Sequence, residues 1–348
     1  MKKRLTYVDL INVLAIIFVL IIHSSWDESS TALGIYDSII RAICAPAVFL
    51  FLMNSGATLI GYRRKYTTKT FLNKRINRVV FPLILWSIIY YIVDSFVKKP
   101  LPDVTFKIDN PSIGNFFVSF LSGNINGAFW FFYCVIALYL ITPIISVLVK
   151  NHKNILFYIV ILDFFFSFIV IYFNNNLFHL ELSPYLIPMS GTCYIGFFVM
   201  GYLIKVGYFT KKGLNVIKIL GIISFIAAIL IPAFKFKISL PVIQNLIEYG
   251  GPLNFLYTIG LYVFIKQLVE DDTLFQNVKM QKCLAVLASL SLGIYILHPF
   301  FLKIFMKMTG TEFSSWLDIL VMPIFVYITC GLTVYILKRI PFVNKILP

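Results

Sequence analysis

VDLINVLAIIFVLII, residues 8–22, contains only two polar side chains, Asp9 and Asn12. Lys2, Lys3 and Arg4 precede it, and His23, Ser24 and Ser25 follow. A bilayer core of about 30 Å takes roughly 20 apolar residues per helix, so this run reads as a membrane span. The pattern recurs at 39–62, 79–97, 128–149, 155–173, 185–204, 216–234, 252–265, 284–302 and 317–337. The stretch at 252–265 is the shortest. Composition points the same way: 59% of the 348 residues are hydrophobic and 13% charged, with 35 Phe and 20 Tyr. Soluble chains carry about 25% charge, so too little polar surface remains to coat a water-soluble globule. A cytosolic enzyme, a secreted disulfide scaffold and a disordered tail are excluded together. The expected fold is an all-α polytopic membrane protein of about ten transmembrane helices. It forms one domain over residues 1–348 with no separate soluble domain.

The formal charge of +15 is spread over connecting segments rather than gathered into one patch, so nucleic acid is not an expected partner. Lys and Arg favour the cytoplasmic side. With the N-terminus inside, the inner segments hold 22 of the 30 basic residues, the outer loops hold seven, and Arg41 lies at a helix end. Both termini are therefore expected in the cytoplasm. The first span resembles a signal peptide but lacks a small-residue cleavage site after Ser24-Ser25-Trp26, so it is expected to be retained. The longest outer loop, 98–127, has Pro100, Pro102 and Pro111, then Phe116, Phe117 and Phe120. Its second half reads either as an interfacial amphipathic piece or as an ordinary loop. Cys44, Cys134, Cys193, Cys283 and Cys330 stand singly, and no metal site is expected.

Polar groups inside the membrane cost several kcal/mol unless they have a partner or a task. Asp9, Asn12 and His23 share one stripe of the first helix: an 11-residue step returns to nearly the same face and climbs about 16 Å. Asp9 and Asn12 lie at the cytoplasmic mouth and His23 near the outer interface. Thr6-x-x-Asp9 has the form of a capping box, which gives Asp9 a structural reading. His23 reads either as an interfacial histidine or as a general base. The cluster Arg63-Arg64-Lys65, Lys69, Lys74-Arg75 and Arg78 anchors the chain on anionic lipid, and Arg75 and Arg78, three apart, could also grip a phosphorylated ligand. Asp163, between Leu162 and Phe164, has no sequence neighbour to pair with. It is either hydrogen-bonded to another helix or part of a polar path. His298, in Ser291-Leu-Gly-Ile-Tyr-Ile-Leu-His298-Pro299, is expected at the same outer level as His23 and reads by default as a helix-stabilising hydrogen-bonding group.

The order of these motifs resembles the membrane acyltransferase 3 family. The resemblance rests on Asp9-Leu-Ile-Asn12 through His23-Ser24, on Phe51-Leu-Met-Asn54-Ser55-Gly56, and on Lys74-Arg75-Ile-Asn-Arg78 before Phe81-Pro82. It continues with Phe129-Trp130-Phe131-Phe132, Tyr139 and Pro143, and ends on the Ser291 to Pro299 run. Membership implies an O-acyltransferase that moves an acyl group from cytoplasmic acyl-CoA, with acetyl-CoA the expected donor, to a hydroxyl of an extracytoplasmic glycan. By resemblance His23 matches the family's catalytic histidine, and Arg75 and Arg78 match its phosphate-binding pair. Asn12 stands where the family usually has Arg, so at that position an amide would contact the donor without a charge. Asn54, Ser55 and Trp130 are further pocket groups to expect, with Asp9, Asp163 and His298 as support. The chain stops soon after the tenth span and so lacks the esterase-like domain of some relatives. The rival readings are a transporter or flippase of a polar solute or glycan on the same frame, and a structural partner of a glycan-assembly machine. The preference for Lys over Arg and the richness in Ile, Phe and Tyr suggest a bacterial cytoplasmic membrane.

Overall fold

A computed structural model of the chain describes residues 4–24, 29–96, 108, 110–182, 194–235, 237, 240–311, 315–341 and 343–347. Lys2, Lys3, Trp26, Pro100, Pro102, Cys193 and residues 185–193 of the sixth expected span lie outside the described residues. Every regular element described is helical. In chain order these include α1 (Thr6–Ser24), α2 (Ala32–Arg64), α3 (Thr68–Ser95), α4 (Ile113–Leu121) and α5 (Gly127–Leu148). There follow α6 (Lys153–Phe178), α7 (Ile195–Lys205), α8 (Lys211–Ala233), α9 (Pro252–Asp271), α10 (Val278–Thr309) and α11 (Met322–Leu337). Eight of them are long and apolar enough to cross a bilayer, and α7 and α11 are shorter apolar helices. The stretch at 252–265 proves to be a full 20-residue helix.

Three boundaries differ from the hydropathy reading, each for a local reason. The second span begins at Ala32, where Thr31 accepts from the amide of Gly34, and it breaks at Ala45-Pro46 because proline has no N–H to continue the ladder. The third begins at Thr68 rather than residue 79. Thr67 caps it, its first turns carry the basic residues that hid it, and it passes through a wide π turn at Ile76–Val80. That turn lies just before Pro82, whose missing N–H leaves the Arg78 carbonyl without its usual helical donor. In the long loop, α4 is amphipathic: Phe116 and Phe120 pack on the core while Ile113, Phe117, Val118 and Leu121 stay exposed. The segment is thus a helix rather than an irregular loop.

Helix packing relies on small residues, as expected where lipid offers no hydrophobic gain between helices. The Gly56 and Gly201 positions of α2 and α7 lie against the backbones of Phe198 and Met53, leaving no room for a Cβ. Gly221 and Gly260 play the same part between α8 and α9, where a Cβ on either would approach the other's Cα to 2.5–2.7 Å. Exposed Ile219, Ile222, Ile223 and Ile226 make α8 a lipid-facing helix.

Polar contacts divide the bundle into two ends. At one end Arg4 donates to the Ala285 carbonyl, Arg63 to Ser146 and Pro143, Lys205 to the Ala57 carbonyl and Lys338 to the Ser289 carbonyl. At the other end Lys303 pairs with buried Asp94 at 2.7 Å, and Lys235 donates to Ser38. Since α1 runs between these ends, Arg4 marks the arginine-rich end and His23 the far end.

Candidate active site

The arginine-rich end opens into a cavity of about 500 Å³. Helix α1 supplies Arg4, Asp9 and Asn12; α2 supplies Asn54 and Ser55; α3 supplies Arg75 and Arg78. The pairing of Asp9 departs from the capping-box reading. Its carboxylate accepts from Arg4 Nε at 2.5 Å and Nη2 at 2.9 Å, a fork that holds the guanidinium at the rim. Deeper in, Asn54 Nδ2 donates to Asn12 Oδ1 at 2.9 Å and to the Val8 carbonyl at 3.0 Å. Both donations fix Asn12 with its oxygen engaged, so its own NH₂ is left without a protein partner among the described residues. Asn54 Oδ1 is buried and likewise unpartnered. Midway down the cavity there is therefore one amide donor and one amide acceptor, both neutral.

Arg75 sits over the rings of Phe71 and Tyr139, at 5.8 Å and 5.6 Å from their centroids, and its buried Nε has no partner. Those rings come from the start of α3 and from α5, so the π turn and the cross-helix stack together aim the guanidinium along the cavity wall. Arg78 is exposed at the mouth. Burial and the nearby Arg78 lower the pKa of the Lys338 ammonium, as expected beside concentrated positive charge. With three guanidinium groups against the single Asp9 carboxylate, the mouth is suited to a polyanion. Arg63, by contrast, is spent on Ser146 and Pro143 of α5.

The inner limit of the cavity is aromatic. Phe131 and Phe132 of α5 meet the Tyr295 ring at 5.3 Å and 5.8 Å, and the Tyr295 hydroxyl donates to the Ala128 carbonyl at 2.5 Å. Immediately beyond lies His298, fully buried, its ring centroid 5.7 Å from that of Tyr295 and 5.3 Å from that of His23. The next residue decides the His298 tautomer. Pro299 has no N–H, so the Tyr295 carbonyl loses its helical donor. His298 Nδ1 lies 2.7 Å from that oxygen. Only a protonated Nδ1 can supply the missing bond, which leaves a lone pair on Nε2, an atom that is buried and unpartnered. The default reading of His298 thus holds for one ring nitrogen and leaves the other chemically free.

Sequence-predicted residues therefore fall into three places. Asp9, Asn12, Asn54, Ser55, Arg75 and Arg78 line one cavity. His23 and His298 face each other just past its aromatic end. Trp130 is not among the lining groups of this cavity: its ring packs between Phe131 of the cavity wall, at 6.4 Å, and Tyr194 and Tyr249, at 6.1 Å and 5.7 Å. Asp163 is a support group. It accepts from the Gly196 amide at 2.9 Å and the Ser167 hydroxyl at 3.0 Å, capping the N-terminus of α7 inside the bundle. Arg4 and Tyr295 line the cavity and are not singled out as site residues by the sequence. The signal for Arg4 is its five-residue offset from Asp9, the carboxylate it pairs with.

Taken together, the described residues define a multi-pass membrane helix bundle with a cationic cavity reaching toward a histidine pair. The family described as an acyltransferase domain (Acyl_transf_3) matches residues 5–338, and the chain belongs to it. It is an acyltransferase, and an acyl donor and an acceptor are implied. No curated protein and no solved structure matches the chain.

Proposed function

We propose that this enzyme takes a short acyl group, acetyl in the first instance, from acyl-CoA at the arginine-rich mouth and places it on a glycan hydroxyl at the far end. The observation that carries this reading is the cavity itself: cationic at its rim, neutral and amide-lined midway, and reaching Tyr295, whose ring lies 5.7 Å from that of His298, itself 5.3 Å from that of His23. Arg75, Arg78 and Arg4 would hold the CoA phosphates. The Asn12 amide would donate to a carbonyl of the pantetheine arm, a neutral contact where relatives use a cation, and Arg4, held by Asp9, would return positive charge to the same cavity wall.

His23 takes the proton of the acceptor hydroxyl as that oxygen attacks the thioester carbonyl. The C–O bond forms, the C–S bond breaks, and CoA leaves as a thiolate that picks up a proton. His298 acts as a positioning residue: its Nε2 lone pair is available to accept an N–H from the His23 imidazolium. We infer further that the arginine-rich end is cytoplasmic, that the membrane is a bacterial plasma membrane, and that residues 1–348 act as one unit. The transport reading draws on Asn12 in place of Arg and on Asp163 as a polar-path group; the Asp163 carboxylate accepts from Gly196 and Ser167 at the start of α7, which removes the second of these supports.

The test is transfer of labelled acetyl from acetyl-CoA to surface glycan by membranes carrying the chain. His23→Ala is expected to lower transfer by about 10²–10⁴-fold while acetyl-CoA still binds, and Arg75→Ala with Arg78→Ala to weaken binding by about 10²-fold. Undiminished transfer in His23→Ala would overturn the assignment.

A further inference from the structure

A second, larger cavity of about 720 Å³ lies at the far end, between the last turns of α6, Tyr194 before α7, and residues 245–251 leading into α9. Its lining differs in kind from that of the arginine-rich cavity. Tyr172, Tyr194 and Tyr249 supply aromatic rings, and Asn175, Asn176 and Asn245 supply amides. Among its described lining residues the one formal charge is the carboxylate of Glu248, and no cation is present.

Part of this lining is held in place by the fold. Tyr172 donates to the Val242 carbonyl, and Asn176 donates to the Tyr172 carbonyl at 2.8 Å. Asn245 Nδ2 donates to Asn176 Oδ1 at 2.6 Å, which ties α6 to the 245–251 segment and leaves the Asn245 oxygen without a protein partner among the described residues. Asn175 is exposed, and its side-chain amide has no hydrogen bond to protein among the described residues. Gly250, at φ +102°, makes a turn that a side chain would strain, and so shapes the floor next to Tyr249.

We propose that this cavity binds a neutral oligosaccharide. Aromatic rings offer flat apolar faces for the C–H faces of sugar rings, while amides both donate and accept, matching hydroxyl groups that do the same. The lack of any cation among the described lining residues disfavours phosphate or carboxylate ligands, the reverse of the arginine-rich mouth. The size falls within the range of about 300–1,000 Å³ for small-molecule sites. Trp130 joins this wall to the other cavity: its ring meets Tyr249 on one side and Phe131 on the other, the latter at 6.4 Å. A site at that remove from His23 holds the body of a chain while another unit reacts. The acceptor role of this cavity rests on the transfer reading; the binding does not.

The experiment is calorimetric titration of the full chain in lipid nanodiscs with chitotetraose, maltotetraose and cellotetraose, alongside acetyl-CoA. At least one sugar is expected to bind saturably. Tyr249→Ala and Asn175→Trp should weaken that binding by about tenfold or more, and Arg75→Ala should leave it unchanged; retained acetyl-CoA binding in the first two variants shows that they are folded. No saturable binding of any of the three sugars, or equal binding by the cavity variants, would overturn the proposal. Sugar binding without acetyl-CoA binding would sink the transfer reading and leave the cavity assignment standing.

Discussion

The two cavities of this bundle approach the same aromatic layer from opposite ends, yet one is ringed by guanidinium groups and the other by rings and amides. The difference teaches that a single helical frame can carry two cavities of opposite electrostatic character. On the proposed reading an anionic donor would be drawn to one and an uncharged acceptor would fit the other, with the histidine pair near the boundary.

The sharpest way to break this picture is at that boundary. His23→Ala is expected to lower acyl transfer by about 10²–10⁴-fold, the usual worth of a general base, with acetyl-CoA affinity unchanged in a direct binding assay. Loss of affinity with retained turnover would move His23 into the donor site. Next in size, replacing Arg75 and Arg78 together with Ala is expected to weaken acetyl-CoA binding by about 10²-fold, as for two lost charge-assisted contacts of about 1.5 kcal/mol each. Their loss should also flatten the salt dependence of binding, whereas sugar affinity should ignore salt.

Smaller effects sharpen the comparison. His298→Ala removes the lone pair facing His23. It is expected to reduce kcat by about tenfold with KM little changed, and to displace the acid limb of the pH–rate profile. A purely structural role would leave that limb in place. Gly196→Ala would bring a Cβ to 2.6 Å from the Asp163 carboxylate. It should destabilise the fold by about 1–3 kcal/mol in thermal melts, the usual penalty of overpacking, without selectively altering either ligand's binding. Asn12→Arg adds the missing cation and is expected to tighten acetyl-CoA binding by about threefold, the smallest change, readable by titration against competing salt.

Much of the frame was legible because lipid imposes one simple demand: long apolar stretches separated by charge. Boundaries were lost where helices carry lysines and arginines, as in the first turns of α3, since a hydropathy window stops where the helix does not. Arg75, Arg78 and His23 could be named because they fall in motifs that resemble the family's and because the chain has only four histidines. Tyr295, Phe131 and Phe132 could not, because with 35 Phe and 20 Tyr an aromatic residue says nothing about which ring closes a cavity. Asp163 looked solitary because its partner across the bundle is a backbone amide 33 residues further on, which leaves no mark in composition. The free nitrogen of His298 was hidden for a related reason, since it follows from a hydrogen that Pro299 does not have.

Hollowing the bundle from both ends has an electrical result. With solvent in both cavities the bulk potential would be carried inward, and most of a transmembrane voltage would drop over the sheet of rings around Trp130, Phe131 and Tyr295 instead of over about 30 Å of hydrocarbon. The local field there would be correspondingly steep, and a charge displaced by even a small distance at this sheet would couple to the energised state of the membrane.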